Sequence, residues 1–467
     1  MAGQPNILWI VTTQLRAMAT GYAGDANART PWLDGLASEA VDYLQATTPH
    51  PLGPQARAAL LTGKLCPENG VKGYWDPLPV YEGKVERGPR TRSNPSGLLR
   101  QGYEARGGRV PPQDRSSGAG QSLHGVQAPP LGRTVAHALN DRGYATAWFG
   151  KWHLAERDRT APLVGEAHAK MIVPPERRGG FALWEGFESG FLLNDPWLHG
   201  TRLAEPRQFK GYQADILCQR AAEWLSRPRS LPQFCVVSLE APHPPYHAPA
   251  PHVAERKPAE IALRGNVPPG GEVEKKARGE LAGYYAHIEA TDRAIGRLIA
   301  EVDLSETVAV FTSVHGDMHG SHGVFRKGWP YDESIRVPLL IRRARSAVSS
   351  KQPRKDNSPV SLVDLPHMAV AWAEGREWRL KRDFAPISMP TANEVPGQCP
   401  EVWRGFRTAE HKLVLVEGNL GVGPSTSSGQ GLRPWLFFDL RRDPLEMINL
   451  AGDATRSGEM RELMKWL

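Results

Sequence analysis

Short runs of apolar residues recur along the chain and end abruptly at polar or glycine residues. Each run is about as long as one strand, and it is apolar throughout rather than alternating with polar positions. That pattern is typical of strands buried on both faces of a parallel sheet. The predicted strands are NILWIVTT (6–13), ATAWFG (145–150), FCVVSLEA (234–241) and TVAVFTS (307–313).

Segments with apolar residues at helical spacing lie between the predicted strands. This repeated strand, helix, strand order predicts an α/β fold with a large, mainly parallel sheet flanked by helices. Residues 165–212 are rich in Trp and Gly, and we predict irregular loops there that cover the cleft. The predicted helices are TPWLDGLASEAV (30–41), ARAALLTG (56–63), LGRTVAHALNDRGY (131–144), YQADILCQRAAEWLS (212–226) and residues 277–301.

The pattern changes near residue 385. VWRGFRTAEHKLVLVEG (402–418) and PWLFFDLRRD (434–443) have the character of paired strands, and an amphipathic helix follows them. With 467 residues the chain is too long for one ordinary core. We therefore predict an α/β domain over residues 1–384 and a small C-terminal subdomain, an antiparallel sheet plus a helix, over residues 385–467.

The charge of the chain is mildly positive, with a formal net charge of +7. Much of the excess lies in residues 84–115, which are rich in Arg, Gly, Pro and Ser. A nucleic-acid-binding arm would need aromatic side chains at regular spacing to stack on bases, and this segment has none. We predict a solvated insertion loop over about residues 84–130 and no nucleic-acid partner.

No membrane segment or cysteine framework is predicted. The mean hydropathy is −0.43, and no apolar run approaches the ~20 residues that a membrane-spanning helix needs. The first residues, MAGQPNILWIVTT, lack a basic region before the apolar run, so a cytoplasmic protein is expected. The four cysteines are widely spaced, which favours buried thiols over a zinc site or disulfides. The sequence makes no prediction of the oligomeric state.

A candidate site follows the strand 307–313. The strand delivers His315 at its C-terminal end, and the loop after it brings Arg326 and Lys327 back over the same edge. In open α/β sheets, ligands bind beyond the carboxyl ends of the strands. His319 and His322 lie between glycines in this loop, and we interpret them as loop residues rather than a transition-metal site.

Ten segments along the chain form one ordered set of motifs. They are NILWIVTTQ, RTPWLDGLASEAV, RAALLTGK, GYATAWFGKWHL, APHPPY, YYAHIEATDRAIGRL, HGDMHGSHGVFRKG, ESIRVPLLIR, VSLVDL and FFDLRRDPLEMINLA. In these segments and in their order, the chain resembles the sulfatases of the alkaline phosphatase superfamily, nearly from end to end. The resemblance implies hydrolysis of sulfuric esters by a formylglycine made from Cys or Ser, with a calcium or magnesium ion and several cations around the sulfate.

The position of the nucleophile is substituted. The family places its Cys or Ser four residues before Arg57, and Gly53 stands there in this chain. A shift of one residue in the alignment would put Leu52 there instead. No Cys or Ser occurs from Gln45 to Leu65, so no alignment supplies the nucleophile.

Two metal-binding positions are substituted as well. The family ends its first strand with Asp-Asp or Asp-Gln, and this chain has Thr13-Gln14. The later Asp-His or Asp-Asn pair is Val314-His315. Calcium prefers anionic oxygen ligands, and the residual candidates Gln14 and His315 supply none. We expect no bound cofactor, or Ca or Mg if this residual site is occupied.

The cationic side of the site is retained, as the resemblance implies. The residues at the sulfate-contacting and proton-transferring positions are Arg57, Lys151, His153, His243 and Lys327. With both carboxylates replaced, these groups would crowd together with little compensating anion. We expect lowered histidine pKa values, or a bound sulfate or phosphate, to relieve the repulsion.

The leading interpretation is a catalytically impaired pseudoenzyme of the sulfatase type that retains an oxyanion-binding cleft. Its ligand would be sulfate, phosphate, or a sulfated small molecule or glycan. One alternative is an active sulfuric or phosphoric ester hydrolase in which Thr13, or a water held by His315, replaces the nucleophile and a different metal is used. Another is a decaying gene whose site was recently lost.

Overall fold

The structure is a computed structural model. It describes residues 4–83, 131–344, 355–392, 395, 397–417 and 431–466. The predicted insertion loop at about 84–130 lies outside the described residues. In the part of the chain that is described, no helix has both the length and the apolar character needed to cross a membrane.

A ten-stranded sheet forms the centre of the molecule, in the order β10-β2-β9-β8-β1-β7-β3-β4-β5-β6. The five strands from β8 to β4 run parallel to one another, which confirms the predicted mainly parallel sheet. The pairs β8–β9 and β4–β5, which flank this parallel block, are antiparallel. The strands are β1 (Asn6–Thr12), β2 (Val41–Tyr43), β3 (Ala145–Lys151), β4 (Leu183–Phe187), β5 (Trp197–Gly200), β6 (Leu203–Gln208), β7 (Gln233–Ser238), β8 (Thr307–Ser313), β9 (Leu339–Arg342) and β10 (Lys355–Asp356).

Helices cover both faces of this sheet, so that alternate residues of β1 face two different cores. Ile7, Trp9 and Val11 pack on one side, whereas Leu8 and Ile10 pack on the other. This two-sided burial explains why the strand sequences are apolar throughout. The helices are α1 (Pro31–Glu39), α2 (Gly53–Thr62), α3 (Cys66–Asn69), α4 (Val135–Asn140), α5 (Glu166–Ala169), α6 (Gln213–Leu225), α7 (Gly271–Ala300), α8 (Asp332–Ile335), α9 (Leu365–Ala373) and α10 (Ser457–Met464).

A second, four-stranded sheet is antiparallel throughout. Its strands are β11 (Ala385–Met389), β12 (Trp403–Arg407), β13 (His411–Glu417) and β14 (Leu432–Asp439). One face packs on α10, whereas the other shares a hydrophobic cluster with Leu52, Tyr74 and Ile335 of the larger unit. The small sheet thereby packs against Leu52, the residue that directly precedes α2. The division into two domains stays a prediction.

The prediction of irregular loops throughout residues 165–212 is wrong in part. This region contains β4, which extends the parallel sheet, and the antiparallel strands β5 and β6. Glycine is depleted in strands, and Gly186 and Gly200 occur in these strands because neighbouring backbones approach them closely. A Cβ on Gly200 would lie 1.9 Å from the carbonyl oxygen of Trp184.

Candidate active site

A cavity of about 240 Å³ opens at the carboxyl ends of β1, β3, β7 and β8. Thr13 directly follows β1, Lys151 is the last residue of β3, and His315 comes two residues after β8. The predicted site residues that line this cavity are Thr13, Gly53, Lys151, His153, His243, His315 and Lys327. The structure thus brings four of the five residues predicted to contact the anion into one cleft.

Arg57, the fifth of these residues, lies beneath the cavity and does not line it. It sits in α2 with no solvent-exposed surface. Its guanidinium donates to the hydroxyl of Thr13 at 2.8 Å and to the hydroxyl of Ser238 and the carbonyl of Lys151. Arg57 therefore ties together the ends of β1, β3 and β7.

The ring of His153 occupies the space in front of Gly53. A Cβ placed on Gly53 would lie 2.8 Å from His153 Nδ1 and 3.1 Å from Cε1. The ring is held in place because Arg157 donates to Nε2 at 2.7 Å and Tyr74 packs edge-on against it. His153 also has a left-handed backbone with φ 61°, a conformation that costs energy for a residue other than glycine. Position 53 thus has no side chain and little room for one.

Lys151 forms a fully buried ion pair with Glu240. Lys151 Nζ lies 2.7 Å from Glu240 Oε1, and both side chains are 1% exposed or less. Burial and the charge of Arg57 nevertheless lower the pKa of Lys151 to about 8, although Glu240 opposes the shift. A second buried carboxylate, Glu188, accepts from the backbone N–H groups of Leu154 and Ala155 at 3.2 Å.

The expectation of little compensating anion is wrong because Glu240 pairs with Lys151 and Glu188 lies 3.5 Å from Arg157, although burial raises the pKa of Glu188 to about 7. Glu240 comes two residues after β7, and Glu188 directly follows β4. Neither glutamate lies in a sequence motif that would distinguish it from an ordinary surface glutamate. In the sequence, only the position of Glu240 after a predicted buried strand indicates a role, because parallel sheets bind ligands beyond the carboxyl ends of their strands.

Lys327 is the centre of a chain of hydrogen bonds at the end of β1. Its Nζ donates to Gln14 Oε1 at 2.6 Å and lies 3.1 Å from His243 Nε2. The amide nitrogen of Gln14 donates to Asp317, which also accepts from the hydroxyl of Tyr246 at 2.9 Å. Gln14 therefore uses both ends of its amide within the protein.

The carboxylate of Asp317 is fixed in its ionised form. Burial opposes ionisation, but the neighbouring His319, Arg326 and Lys327 outweigh it and lower the pKa of Asp317 to about 2. Asp317 Oδ1 also accepts from the backbone N–H groups of His319 and Arg326. Asp317 acts as an anchor for Gln14 and does not line the cavity.

Comparison with known proteins identifies the family. The family model described as Sulfatase matches residues 109–375, which is more than half of the chain. The ulvan-active sulfatase of Formosa agariphila is 32% identical over 473 residues, covering 96% of this chain and 77% of that protein. The chain belongs to the sulfatase family. The resemblance seen in the sequence is thereby confirmed.

More distant relatives of this sulfatase-family protein share its full length. The N-acetylglucosamine-6-O-sulfatase of Bacteroides thetaiotaomicron is 22% identical over 99% of this chain and 86% of that protein. The crystal structure of yidJ from Bacteroides fragilis, a candidate sulfatase, covers 99% of this chain and 95% of its own at a TM-score of 0.74 and 21% identity. This structural likeness confirms the predicted fold class.

Members of the sulfatase family typically bind calcium or magnesium, and the residues at that position in this chain do not fit such an ion. The oxygen of Gln14 accepts from the Lys327 ammonium at 2.6 Å. The hydroxyl of Thr13 donates to the carbonyl of Leu239 at 2.9 Å while Arg57 donates to it. Val314 is fully buried in the hydrophobic core. A hard divalent cation would meet an ammonium, a methyl-bearing side chain and one imidazole.

Three histidines of the cleft have lowered pKa values, as predicted. Burial is the main cause for His153, His243 and His315, and nearby cations add to it: Arg157 acts on His153, whereas Lys327 acts on the other two. Burial and Lys151 also lower the pKa of Lys327 to about 7. The site therefore balances its charge through buried glutamates and through bases that give up their protons.

Among the described residues, one grouping of His322, Glu333 and Glu446 has ligand atoms within 4.8 Å of one another. It lies outside the cavity, and its carboxylates already pair with Arg264 at 2.8 Å and with Lys412. His319 does not belong to it, since its ring packs on Tyr284 with the centroids 4.3 Å apart. The loop histidines His319 and His322 thus have separate surroundings.

Proposed function

We propose that this protein is a catalytically impaired member of the sulfatase family that retains an oxyanion-binding cleft. The observation that carries the proposal is the contact between Gly53 and His153. The position that needs a nucleophile has no side chain, and the imidazole 2.8 Å from the missing Cβ fills the space that one would use. Loss of the covalent nucleophile removes the group that attacks the ester.

The arrangement around Gln14 supports the same proposal. Lys327 holds the amide oxygen that a metal would need, and Val314 is apolar where the family has a carboxylate. A bound metal would act as a Lewis acid on the sulfuryl oxygens. Without nucleophile and metal together, the chain keeps only the cations that bind an anion.

The cavity favours a small tetrahedral oxyanion or an anionic group of a larger molecule. Lys151 and Lys327 line it together with His153 and His243. The ulvan-active sulfatase and the N-acetylglucosamine-6-O-sulfatase are relatives whose names refer to glycans. We therefore propose sulfate, phosphate, or a sulfated small molecule or glycan as the ligand.

The alternative is an active ester hydrolase with an unusual nucleophile. Thr13 is a poor candidate because its proton is given to the carbonyl of Leu239 and its oxygen receives Arg57. A water held by His315 is the better candidate, since Nε2 of that ring has no partner among the described residues. Isothermal titration calorimetry with sodium sulfate and sodium phosphate at low ionic strength tests the binding part of the proposal. Binding of either anion is the expected result, and binding of neither would contradict it.

A further inference from the structure

Most polar groups that line the cavity are hydrogen-bond donors. The role of each group, donor or acceptor, follows from the protein atoms to which it is already bonded. In their protonated forms, Lys151 and Lys327 are donors only. Lys151 uses one N–H on Glu240, and Lys327 uses N–H groups on Gln14 and His243. Each ammonium has three hydrogens, so both keep at least one for a ligand when they are protonated.

His153 also donates into the cavity. Arg157 has no acceptor atom, so at 2.7 Å it must donate to His153 Nε2. A neutral imidazole that accepts at Nε2 carries its proton on Nδ1. Nδ1 is the nitrogen nearest the Gly53 position, and it has no partner among the described residues.

His315 has the opposite orientation. Its Nδ1 lies 2.8 Å from the carbonyl oxygen of Gly316, which can only accept, so Nδ1 carries the proton. The neutral ring therefore has a lone pair on Nε2. The ring lines the cavity, the residue is 0% exposed, and Nε2 has no partner among the residues that the structure describes.

Other acceptors at this end of the cleft either have donors or lie outside the cavity lining. Gln14 Oε1 and His243 Nε2 both face the ammonium of Lys327. Glu240 Oε1 receives Lys151, and Glu240, whose Oε2 has no partner among the described residues, does not line the cavity. Among the described residues that line it, the cleft thus presents several donors and the buried imidazole acceptor of His315 to a ligand. A ligand that satisfies this set is an oxyanion with one protonated oxygen.

We propose that the cleft selects tetrahedral oxyanions that carry a proton, such as hydrogenphosphate or the monoanion of a phosphonate, over sulfate, because the P–OH group donates to His315 Nε2. This inference rests on the proposed oxyanion-binding cleft and names its ligand class. At pH 8, phosphate is mainly the HPO₄ dianion, which matches sulfate in charge and nearly in size. The two differ in one hydrogen, and sulfate would leave the buried nitrogen facing an oxygen lone pair. An unsatisfied buried acceptor is costly enough to give at least about a tenfold difference in affinity.

Isothermal titration calorimetry at pH 8 and constant ionic strength tests the inference with three probes: phosphate, sulfate and monofluorophosphate. Monofluorophosphate is a dianion in which fluorine replaces the hydroxyl group, so it controls for the chemistry of phosphorus. We expect phosphate to bind at least about tenfold more tightly than either of the others. Equal binding of phosphate and sulfate, or tighter binding of sulfate, would overturn the inference and leave the oxyanion-binding cleft standing. Binding of none of the probes at pH 8, and also at pH 6.5 where both lysines are protonated, would overturn the proposed function itself.

Two variants of His315 distinguish the loss of the Nε2 hydrogen-bond acceptor from the loss of the packing of the ring. His315→Asn keeps a donor near the Nδ1 position for the carbonyl of Gly316 but lacks Nε2. His315→Gln can place its amide oxygen near the Nε2 position. We expect His315→Asn to bind phosphate and sulfate with affinities within about twofold of each other, and His315→Gln to keep the preference for phosphate. A His315→Asn protein with unchanged circular dichroism and an undiminished phosphate preference would contradict the assignment.

Discussion

The ammonium of Lys327 donates a 2.6 Å hydrogen bond to the amide oxygen of Gln14. Gln14 directly follows Thr13 at the end of β1, where the sulfatase family places metal-binding residues. An internal cation therefore holds the oxygen that an external cation would need. This hydrogen bond places Lys327 at the centre of the cleft, and it leads to the following predictions.

Lys327 should dominate anion binding. The Lys327→Met variant removes one cationic donor from the cavity, so we expect the dissociation constant for sulfate to rise by at least tenfold, which corresponds to about 1.4 kcal/mol. Isothermal titration calorimetry at pH 6.5 measures the change. Lys275→Met, at an exposed position on α7, is the matched control and should bind like the original protein. Equal affinities of all three proteins would refute this role.

Sulfate affinity should fall as the pH rises. The pKa of Lys327 is lowered to about 7 and that of Lys151 to about 8, and only the protonated amines attract the anion. We expect the dissociation constant for sulfate to rise by roughly tenfold or more between pH 6 and 9. Sulfate has no titration of its own in this range, so calorimetry reports the lysines. A flat profile would contradict the lowered lysine pKa values.

The same two lysines should make the anion-free protein more stable as the pH rises, whereas they make its affinity for sulfate weaker. Their pKa values in the folded protein lie below the ordinary value of 10.5, so the unfolded chain binds more protons between about pH 7 and 10.5. Because stability rises with pH wherever the unfolded state binds more protons, these two groups make the anion-free protein more stable as the pH rises through that window. Urea unfolding of the original protein and of Lys327→Met at pH 7 and 9 isolates the contribution of Lys327, and an equal pH dependence in both would count against it.

Because Gly53 contacts His153, we predict that the effect of Gly53→Ala on stability depends on the His153 ring. Gly53→Ala should destabilise the protein by about 1–3 kcal/mol, since the new Cβ is forced against a held ring. In a His153→Ala background the same change should be neutral or stabilising. Urea unfolding of the four proteins of this cycle gives the coupling. Gly279→Ala on α7 is the control: its Cβ meets nothing within 4 Å, and it should stabilise by about 1 kcal/mol. Additive effects of the two site changes would show that the ring does not fill the position.

Glu240 should be essential to the folded state. Glu240→Gln removes the counter-charge of a lysine that is 1% exposed, and breaking a buried pair from one side costs about 3–5 kcal/mol. Chemical denaturation measures the loss, and Lys151→Met combined with Glu240→Gln should recover part of it. Glu260→Gln breaks an ion pair whose side chains are 77% and 69% exposed, and it should cost less than about 1 kcal/mol. Similar costs for both single changes would mean that the Lys151–Glu240 pair contributes little.

The strand ends could be predicted from the sequence, and the contacts around them could not. Apolar runs located β1, β3, β7 and β8, and strands of a parallel sheet must present their carboxyl ends at one edge. The resemblance then assigned Lys151, His153, His243 and Lys327 to that edge. The position of Arg57 beneath the cavity depends on the distance between α2 and the ends of β1 and β7, which sequence spacing does not specify.

The roles of Glu188 and Glu240 could not be predicted from the sequence. Their roles depend on burial beside Arg157 and Lys151, and partners so far apart in sequence are recognised only once the sheet order is known. The ring of His153 is a similar case. Its orientation follows from Arg157 and from a left-handed backbone, neither of which leaves a pattern in the sequence.

Hydrolysis is the most direct test of the central claim. The purified protein is incubated with 4-nitrophenyl sulfate and 4-nitrophenyl phosphate, each with added calcium, magnesium or manganese, beside the Lys327→Ala variant. We predict no turnover above the buffer rate for either protein under any of these conditions. Turnover by the original protein that disappears in Lys327→Ala would contradict the account and identify a working hydrolase.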